Sequence, residues 1–273
     1  MMKVKWMVAL AVACVVLVGG CGKGGNTAAQ NEGSATAPEA TTPSAPAATE
    51  TAPAKVADQS SVTNTGAAIV VTGSGNGQVG PITFDKPYYI LTAKYDSPDE
   101  YAMLQVTYKK MMGGTEVEKY VVTAAKGAEV IKVFQTEKGD QPSVDITLTV
   151  QSTGTYTLEF ANPPSLDTAQ PAPLTVTGGK GYTITPLVKT EGNYVMLRLK
   201  YTGPVDPSKV GGMPLATGDL YDAEEGDPWV RNQNVYDGNI QAQDGATRPK
   251  PGVYFAIINC SKDGGTWEAT ITE

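Results

Sequence analysis

Histidine is absent from all 273 residues. That absence removes the Ser-His-Asp triad, the Cys-His pair and every histidine-ligated metal site. Chemistry run by carboxylates alone stays open. A surplus of positive charge is also missing: 21 Lys and Arg stand against 28 Asp and Glu, a formal charge of −7. Nucleic acid and anionic lipid both require a basic face, so the composition argues against either as an electrostatic partner. Phenylalanine is scarce, with 4 residues against 13 tyrosines, whereas glycine reaches 30 and proline 19. Frequent turns and amphipathic aromatics favour strands over helices. No apolar run is long enough for a bilayer. Trp6–Val18 has 13 residues, and a spanning helix needs about 20.

What that short run does fit is an export signal. Lys3 and Lys5 precede it, and the small residues Gly19 and Gly20 follow it. Positive start, short apolar core and small residues before a cut site describe a secretory signal peptide over residues 1–20. The stretch "LVGGC" (Leu17–Cys21) resembles the lipobox of bacterial lipoproteins, with apolar Val18 three residues before the cysteine and Gly20 just before it. The resemblance implies a diacylglyceryl group on the Cys21 thiol and cleavage before Cys21. Two or more acyl chains would then hold a soluble domain at a membrane. Gly22, rather than an inner-membrane-retaining aspartate, implies the outer membrane of a Gram-negative cell. In a Gram-positive cell the anchor would sit on the outer face of the cell membrane.

Residues 21–64 read as a lipidated N-terminus and a disordered tether. "ATAPEATTPSAPAATETAPAK" carries no large apolar side chain and cannot bury enough surface to offset its ordering entropy. At about 5–6 Å × √n, some 40 residues reach roughly 35 Å.

Beyond the tether the pattern changes to short strands. Val144, Ile146, Leu148 and Val150 alternate with Asp145, Thr147 and Thr149, the period of a half-buried strand. Tyr156, Leu158 and Phe160 share one face, as do Trp267, Ala269 and Ile271. Ala102, Leu104, Val106 and Tyr108 share another, with Gln105 and Thr107 opposite. Turn signals recur at "SPDE", "MMGG", "EKGD", "STGT", "KTEGN" and "KDGG". The expectation is an all-β chain of two tandem antiparallel β-sandwiches, jelly-roll-like, over 65–162 and 163–273, divided at the proline-rich "NPPSLDTAQPAP". Tyr88–Tyr108 aligns with Gly181–Tyr201 at an offset of 93, and Pro142–Phe160 with Pro251–Ile271 at 109 to 111. Read as a duplication, these offsets place 16 extra residues in the second unit. The endings "STGTYTLEF" and "DGGTWEATI" resemble the last hairpin of bacterial pre-peptidase C-terminal domains. That resemblance implies a non-catalytic accessory or binding module.

Chemistry concentrates in the presumed extra loop, Asp219–Asp237. Asp219, Asp222, Glu224, Glu225 and Asp227 offer the oxygen ligands that calcium takes, although without EF-hand spacing. Tyr221, Trp229 and Tyr236 offer rings that could stack on sugar or peptide. Asp222 or Glu224 with Asp227 could form an acid–base pair, but no nucleophile–base motif accompanies them, and no catalytic residue is assigned. Cys14 would leave with the signal and Cys21 would be acylated. Cys260 then has no intramolecular disulfide partner and reads as a small buried residue at a strand end. Three functions remain open. One is a membrane-anchored envelope lipoprotein with a binding or structural role toward glycan or protein. The second is a calcium-dependent or carbohydrate-directed surface protein, a binder or a hydrolase, using the acidic loop Asp219–Asp237. The third is an envelope assembly partner using an exposed sheet edge. Apart from calcium, no cofactor is expected.

Overall fold

The computed structural model describes residues 60–192, 194–203, 215–235, 241–244, 251–261 and 265–273, with backbone only at 229–233 and 241–244. The expected signal segment, Cys21 and the expected tether as far as residue 59 lie outside them.

Nine strands build the first sandwich: β1 (Ser61–Asn64), β2 (Ala68–Ser74), β3 (Gly77–Phe84), β4 (Tyr88–Asp96), β5 (Met103–Met112), β6 (Thr115–Ala125), β7 (Glu129–Gln135), β8 (Val144–Gln151) and β9 (Thr155–Ala161). They form two sheets, in the orders β1-β2-β9-β4-β7 and β3-β8-β5-β6. Without β1, this dealing of strands alternately to two sheets is the jelly roll. Ser61 to Asn64, expected at the end of the tether, instead pair antiparallel with β2, from Ser61 opposite Thr72 to Asn64 opposite Ile69.

The second sandwich comprises β10 (Gln170–Pro171), β11 (Leu174–Gly178), β12 (Gly181–Ile184), β13 (Val188–Thr190), β14 (Met196–Thr202), β15 (Ala216–Asp222), β16 (Pro228–Val235), β17 (Gln241–Asp244), β18 (Gly252–Cys260) and β19 (Thr266–Thr272). Its sheets run β11-β19-β14-β17 and β10-β13-β18-β15-β16, with β12 also paired to β18. The jelly-roll order repeats, so the all-β tandem sandwich is correct. Within the presumed boundary segment, a 3₁₀ turn (Leu166–Thr168) leads into β10, which joins β13 in a parallel pair at the sheet edge. Pro171 is tolerated there because an edge strand need not donate on both sides.

The alternating faces explain the cores. Ile146, Leu148, Val150, Tyr156, Leu158 and Phe160 are buried in the first, and Leu197, Leu199, Trp267, Ala269 and Ile271 in the second. Three of the four phenylalanines, Phe84, Phe134 and Phe160, pack at steep angles with centroids 5.2 Å apart, the geometry their ring quadrupoles favour. Cys260 is buried at the end of β18. Thr107, expected on the outer face, is buried. The β5–β6 register shifts between Val106 and Thr107, and the Thr107 hydroxyl donates to Glu118 Oε1 at 2.8 Å. The extra residue of this bulge is Val121 on β6, so Val106 and Tyr108 both keep the core face and Thr107 stays on the outer one, buried beside Glu118.

Topology also corrects the internal alignment. An offset of 93 lays β4 on β12 and β13, which occupy different places in the jelly roll. The matching strands are β2 with β11, β4 with β14, β8 with β18 and β9 with β19. Gly73 stands opposite Tyr156, and Gly178 opposite Trp267. Val71-Thr72-Gly73 with Pro81 therefore matches Val176-Thr177-Gly178 with Pro186, an offset of 105. The later strands keep 109 to 111, so no insertion of 16 residues is needed.

Candidate functional site

Two strands carry apolar residues on both faces: "YYIL" in β4 and "VYFAII" in β18. Such unbroken runs belong to strands covered on both sides. In β4, Tyr89 and Leu91 enter the first core while Tyr88 and Ile90 point away from it; in β18, Tyr254, Ala256 and Ile258 enter the second core while Phe255 and Ile257 point away. The outward residues meet each other. With Val133, Leu187, Tyr221 and Ala223 they form a third apolar cluster that joins the sandwiches. Phe255 lies between Tyr88 and Tyr221, stacked at 6.3 and 5.4 Å. Burying such a ring contributes about 2 kcal/mol.

The tip of the β15–β16 hairpin locks this seam. Asp222 is buried, and its Oδ1 accepts from the backbone N–H of Glu224 at 2.7 Å and of Glu225 at 3.2 Å. The turn so formed presents the Ala223 carbonyl to the Tyr88 hydroxyl at 2.8 Å. Gln135 Nε2 donates to Asp227 Oδ1 at 2.6 Å and to the Gly226 carbonyl at 3.3 Å. Burial, with the Asp222 charge behind it, pushes the Tyr88 phenol well above its ordinary value.

The described part of this segment, Asp219 to Val235, is thus not an inserted loop: it runs along β15, the hairpin tip and β16, and Asp237 lies outside the described residues. Tyr221, expected as a presented ring, is buried in the seam, because strand alternation turns it toward Phe255. Trp229 lies in β16, where only the backbone is described, and Tyr236 lies outside the described residues. Three of the five carboxylates considered for calcium serve separate partners. Asp222 caps the turn, Asp227 receives Gln135, and Asp219 Oδ2 accepts from the Tyr221 hydroxyl at 3.3 Å. Glu224 and Glu225 are exposed on the hairpin tip. Among the described residues no three acidic or cysteine side chains gather as a metal site would require. The acid–base pair considered among Asp222, Glu224 and Asp227 therefore meets Asp222 and Asp227 engaged in turn and seam contacts.

Beside the apolar seam the two sandwiches diverge and leave a cleft of about 500 Å³, within the usual range for small-ligand sites. One wall continues the outer face of the second sandwich: Thr217 and Asp219 from β15, Asn259 from β18 and Tyr182 from β12. The other comes from the first: Lys119 and Tyr120 from β6, Lys132 from β7, and Glu137 just beyond it. Lys132 Nζ lies 5.6 Å from the Tyr120 ring centre, and Tyr120 remains 56% exposed.

Glu137 is the strained member. Its φ of 52° makes it the non-glycine residue with positive φ among those described, a conformation that clusters at functional positions. Lys110 Nζ donates to both its carbonyl (3.1 Å) and its Oε2 (2.9 Å), and Lys119 Nζ to its Oε1 (3.3 Å). These donors, Lys110 foremost, hold its carboxyl below the usual range. A general acid requires the opposite shift. Burial, with Asp219 adding, raises the Tyr182 phenol, so it remains a neutral donor and acceptor. A wider hollow of about 720 Å³ at the loop end of the first sandwich is bordered by Ser97, Lys126 and Thr153. Its hydroxyls face each other: Thr153 Oγ1 lies 3.2 Å from the Tyr95 hydroxyl and 3.3 Å from Ser97 Oγ.

No family model matches the sequence, and no curated protein matches it. Among solved structures the chain is similar to the N-terminal CBM22-1-CBM22-2 tandem domain of Paenibacillus barcinonensis Xyn10C, at 10% identity over 80% of this chain and 92% of that one, TM-score 0.25. It is similar to allantoicase from Saccharomyces cerevisiae at 9% identity over 76% and 77%, TM-score 0.24. It is also similar to a peptide-N(4)-(N-acetyl-β-D-glucosaminyl) asparagine amidase at 10% identity over 80% and 95%, TM-score 0.22. At such TM-scores these likenesses carry no functional argument. The strand order itself makes the chain an all-β protein of two β-sandwiches.

Proposed function

We propose that this chain is an exported envelope lipoprotein, anchored through Cys21, whose paired sandwiches form a non-catalytic binding module. The ligand enters the cleft beside the seam. The observation that carries this reading is the cleft itself: two polar walls, one from each sandwich, flank an apolar joint that fixes their spacing. Ligand sites favour such junctions between domains. The ionised state of Glu137 supports binding rather than acid catalysis. The lipobox-like Leu17–Cys21 supports the anchor, and two or more acyl chains suffice for stable attachment.

The test uses the full chain in detergent, incubated with envelope extract. Thr217→Trp fills the cleft from one wall. Wild type is expected to retain a component that Thr217→Trp does not; retention unaffected by the substitution overturns the cleft reading. For the anchor, Cys21→Ser is expected to leave the chain unprocessed or soluble. A variant still processed and membrane-bound overturns it.

A further inference from the structure

The walls of the cleft also indicate what class of molecule fits. We infer that the cleft takes an uncharged carbohydrate chain, stacked on Tyr120 and hydrogen-bonded between Glu137 on one wall and Asp219 and Asn259 on the other. This rests on the cleft being the binding site.

Three observations lead there. First, the formal charges lining the cleft cancel: Lys119 and Lys132 stand against Glu137 and Asp219. A site for an anion or a cation would show an excess of the opposite sign. Second, donors and acceptors are mixed. Carboxylates accept, ammonium groups donate, and Asn259, Thr217 and Tyr182 do both. A sugar hydroxyl is likewise donor and acceptor at once, so a mixed lining satisfies it where a lining of one kind would not. Third, Tyr120 leaves more than half of its surface exposed at the rim. An exposed ring beside polar groups matches the apolar C–H face of a sugar, which has both characters within a single unit.

A peptide fits the second wall less well, although β6 and β7 on the first wall are the edge strands of their sheets and make peptide binding an outcome the test must resolve. Peptides are held by strand addition to a sheet edge or by apolar anchor pockets. The second wall offers neither. β15 is already paired with β16 and β18, and β18 with β12, β13 and β15. What this wall presents is a row of polar side chains on a sheet face. The positive φ of Glu137, maintained by Lys110 and Lys119, is consistent with a carboxylate held in place before the ligand arrives.

The experiment titrates the full chain in detergent with linear neutral glucans, mannans and galactans, with polygalacturonate, and with an uncharged peptide. At least one neutral glycan is expected to bind. Tyr120→Ala is expected to weaken it about tenfold, the loss of roughly 1.4 kcal/mol, with an unchanged melting temperature. Tyr120→Phe, which keeps the ring, is expected to bind within about twofold of wild type. Binding of polygalacturonate that both Tyr120→Ala and Thr217→Trp abolish overturns the uncharged character assigned to the ligand, binding of peptide that both abolish overturns the carbohydrate class, and either leaves the cleft as the site. Neutral-glycan binding insensitive to both substitutions overturns the site as well. Absence of neutral-glycan binding overturns the inference outright.

Discussion

Gly226, at the tip of the β15–β16 hairpin, lies so close to the ring of Tyr88 in the other sandwich that a Cβ there would overlap it. Its φ of 73° already belongs to glycine. Gly226→Ala therefore meets two penalties together, backbone strain and overpacking, and is expected to destabilise by about 2–3 kcal/mol. Denaturant unfolding measures it. A change below about 0.5 kcal/mol would mean that the hairpin tip is not seated on Tyr88.

The bond from the Tyr88 hydroxyl to the Ala223 carbonyl makes a second, milder prediction. Tyr88→Phe keeps the ring between the sandwiches and leaves a buried carbonyl without this donor. The expected cost is about 1–2 kcal/mol, with amide exchange near Ala223 accelerated more than in either core. Equal acceleration throughout would show that the bond does not act on the seam.

Tyr156 and Trp267 occupy matching places, each opposite a glycine, and their polar atoms differ. Trp267 Nε1 donates to the Gly179 carbonyl at 2.9 Å, whereas the buried Tyr156 hydroxyl has no hydrogen-bond partner among the described residues. Removing an unsatisfied polar group relieves its desolvation cost. Tyr156→Phe is accordingly expected to be neutral or stabilising by up to about 1 kcal/mol, and Trp267→Phe to destabilise by several times that. Thermal unfolding of both variants checks the contrast. A clear loss for Tyr156→Phe contradicts it.

Tyrosines also set the alkaline limit. Burial, with the Glu137 charge adding, pushes Tyr108 up to about 12 from its ordinary 10, and Tyr88, Tyr89 and Tyr254 shift in the same direction. A raised acid holds its proton more tightly when folded. Its contribution is complete below pH 10, where both states are protonated, and is lost as pH rises from about 10 to 12. Stability is expected to fall over that interval, and Tyr108→Phe to flatten part of the fall. Denaturant midpoints against pH, with tyrosinate absorbance, measure it. A fall unchanged in Tyr108→Phe would exclude Tyr108 as a contributor.

Much of the fold was readable from local pattern. The alternation from Val144 to Val150 and from Tyr156 to Phe160 places each residue on its observed face, because burying one face of a strand fixes its register. The seam was readable too, in "YYIL" and "VYFAII", where apolar residues fill both strand faces. The partner of each outer face was not, since periodicity says that a face is covered and never by what. Tyr221 was misjudged for a related reason: the acidic residues around it resemble a solvated loop, although Asp219 and Asp222 lie within β15 and only Glu224, Glu225 and Asp227 lie beyond it. The repeat was visible in Val71-Thr72-Gly73 and Val176-Thr177-Gly178, and the stronger-looking match of tyrosines and methionines concealed it. Tyr120, Glu137, Thr217 and Asn259 carry no joint signal, because only the docking of two sheets brings them to one cleft.

The seam changes what counts as a module in this chain. Each sandwich has the size and strand order of an independent domain, yet each gives one outer sheet surface to the other. Expressed alone, the first half would expose Tyr88, Ile90 and Val133, and the second Phe255, Ile257 and Tyr221, the kind of contiguous apolar patch that drives self-association. Grafting or recombination would have to move both halves together, and substitutions along the joint would have to change in pairs.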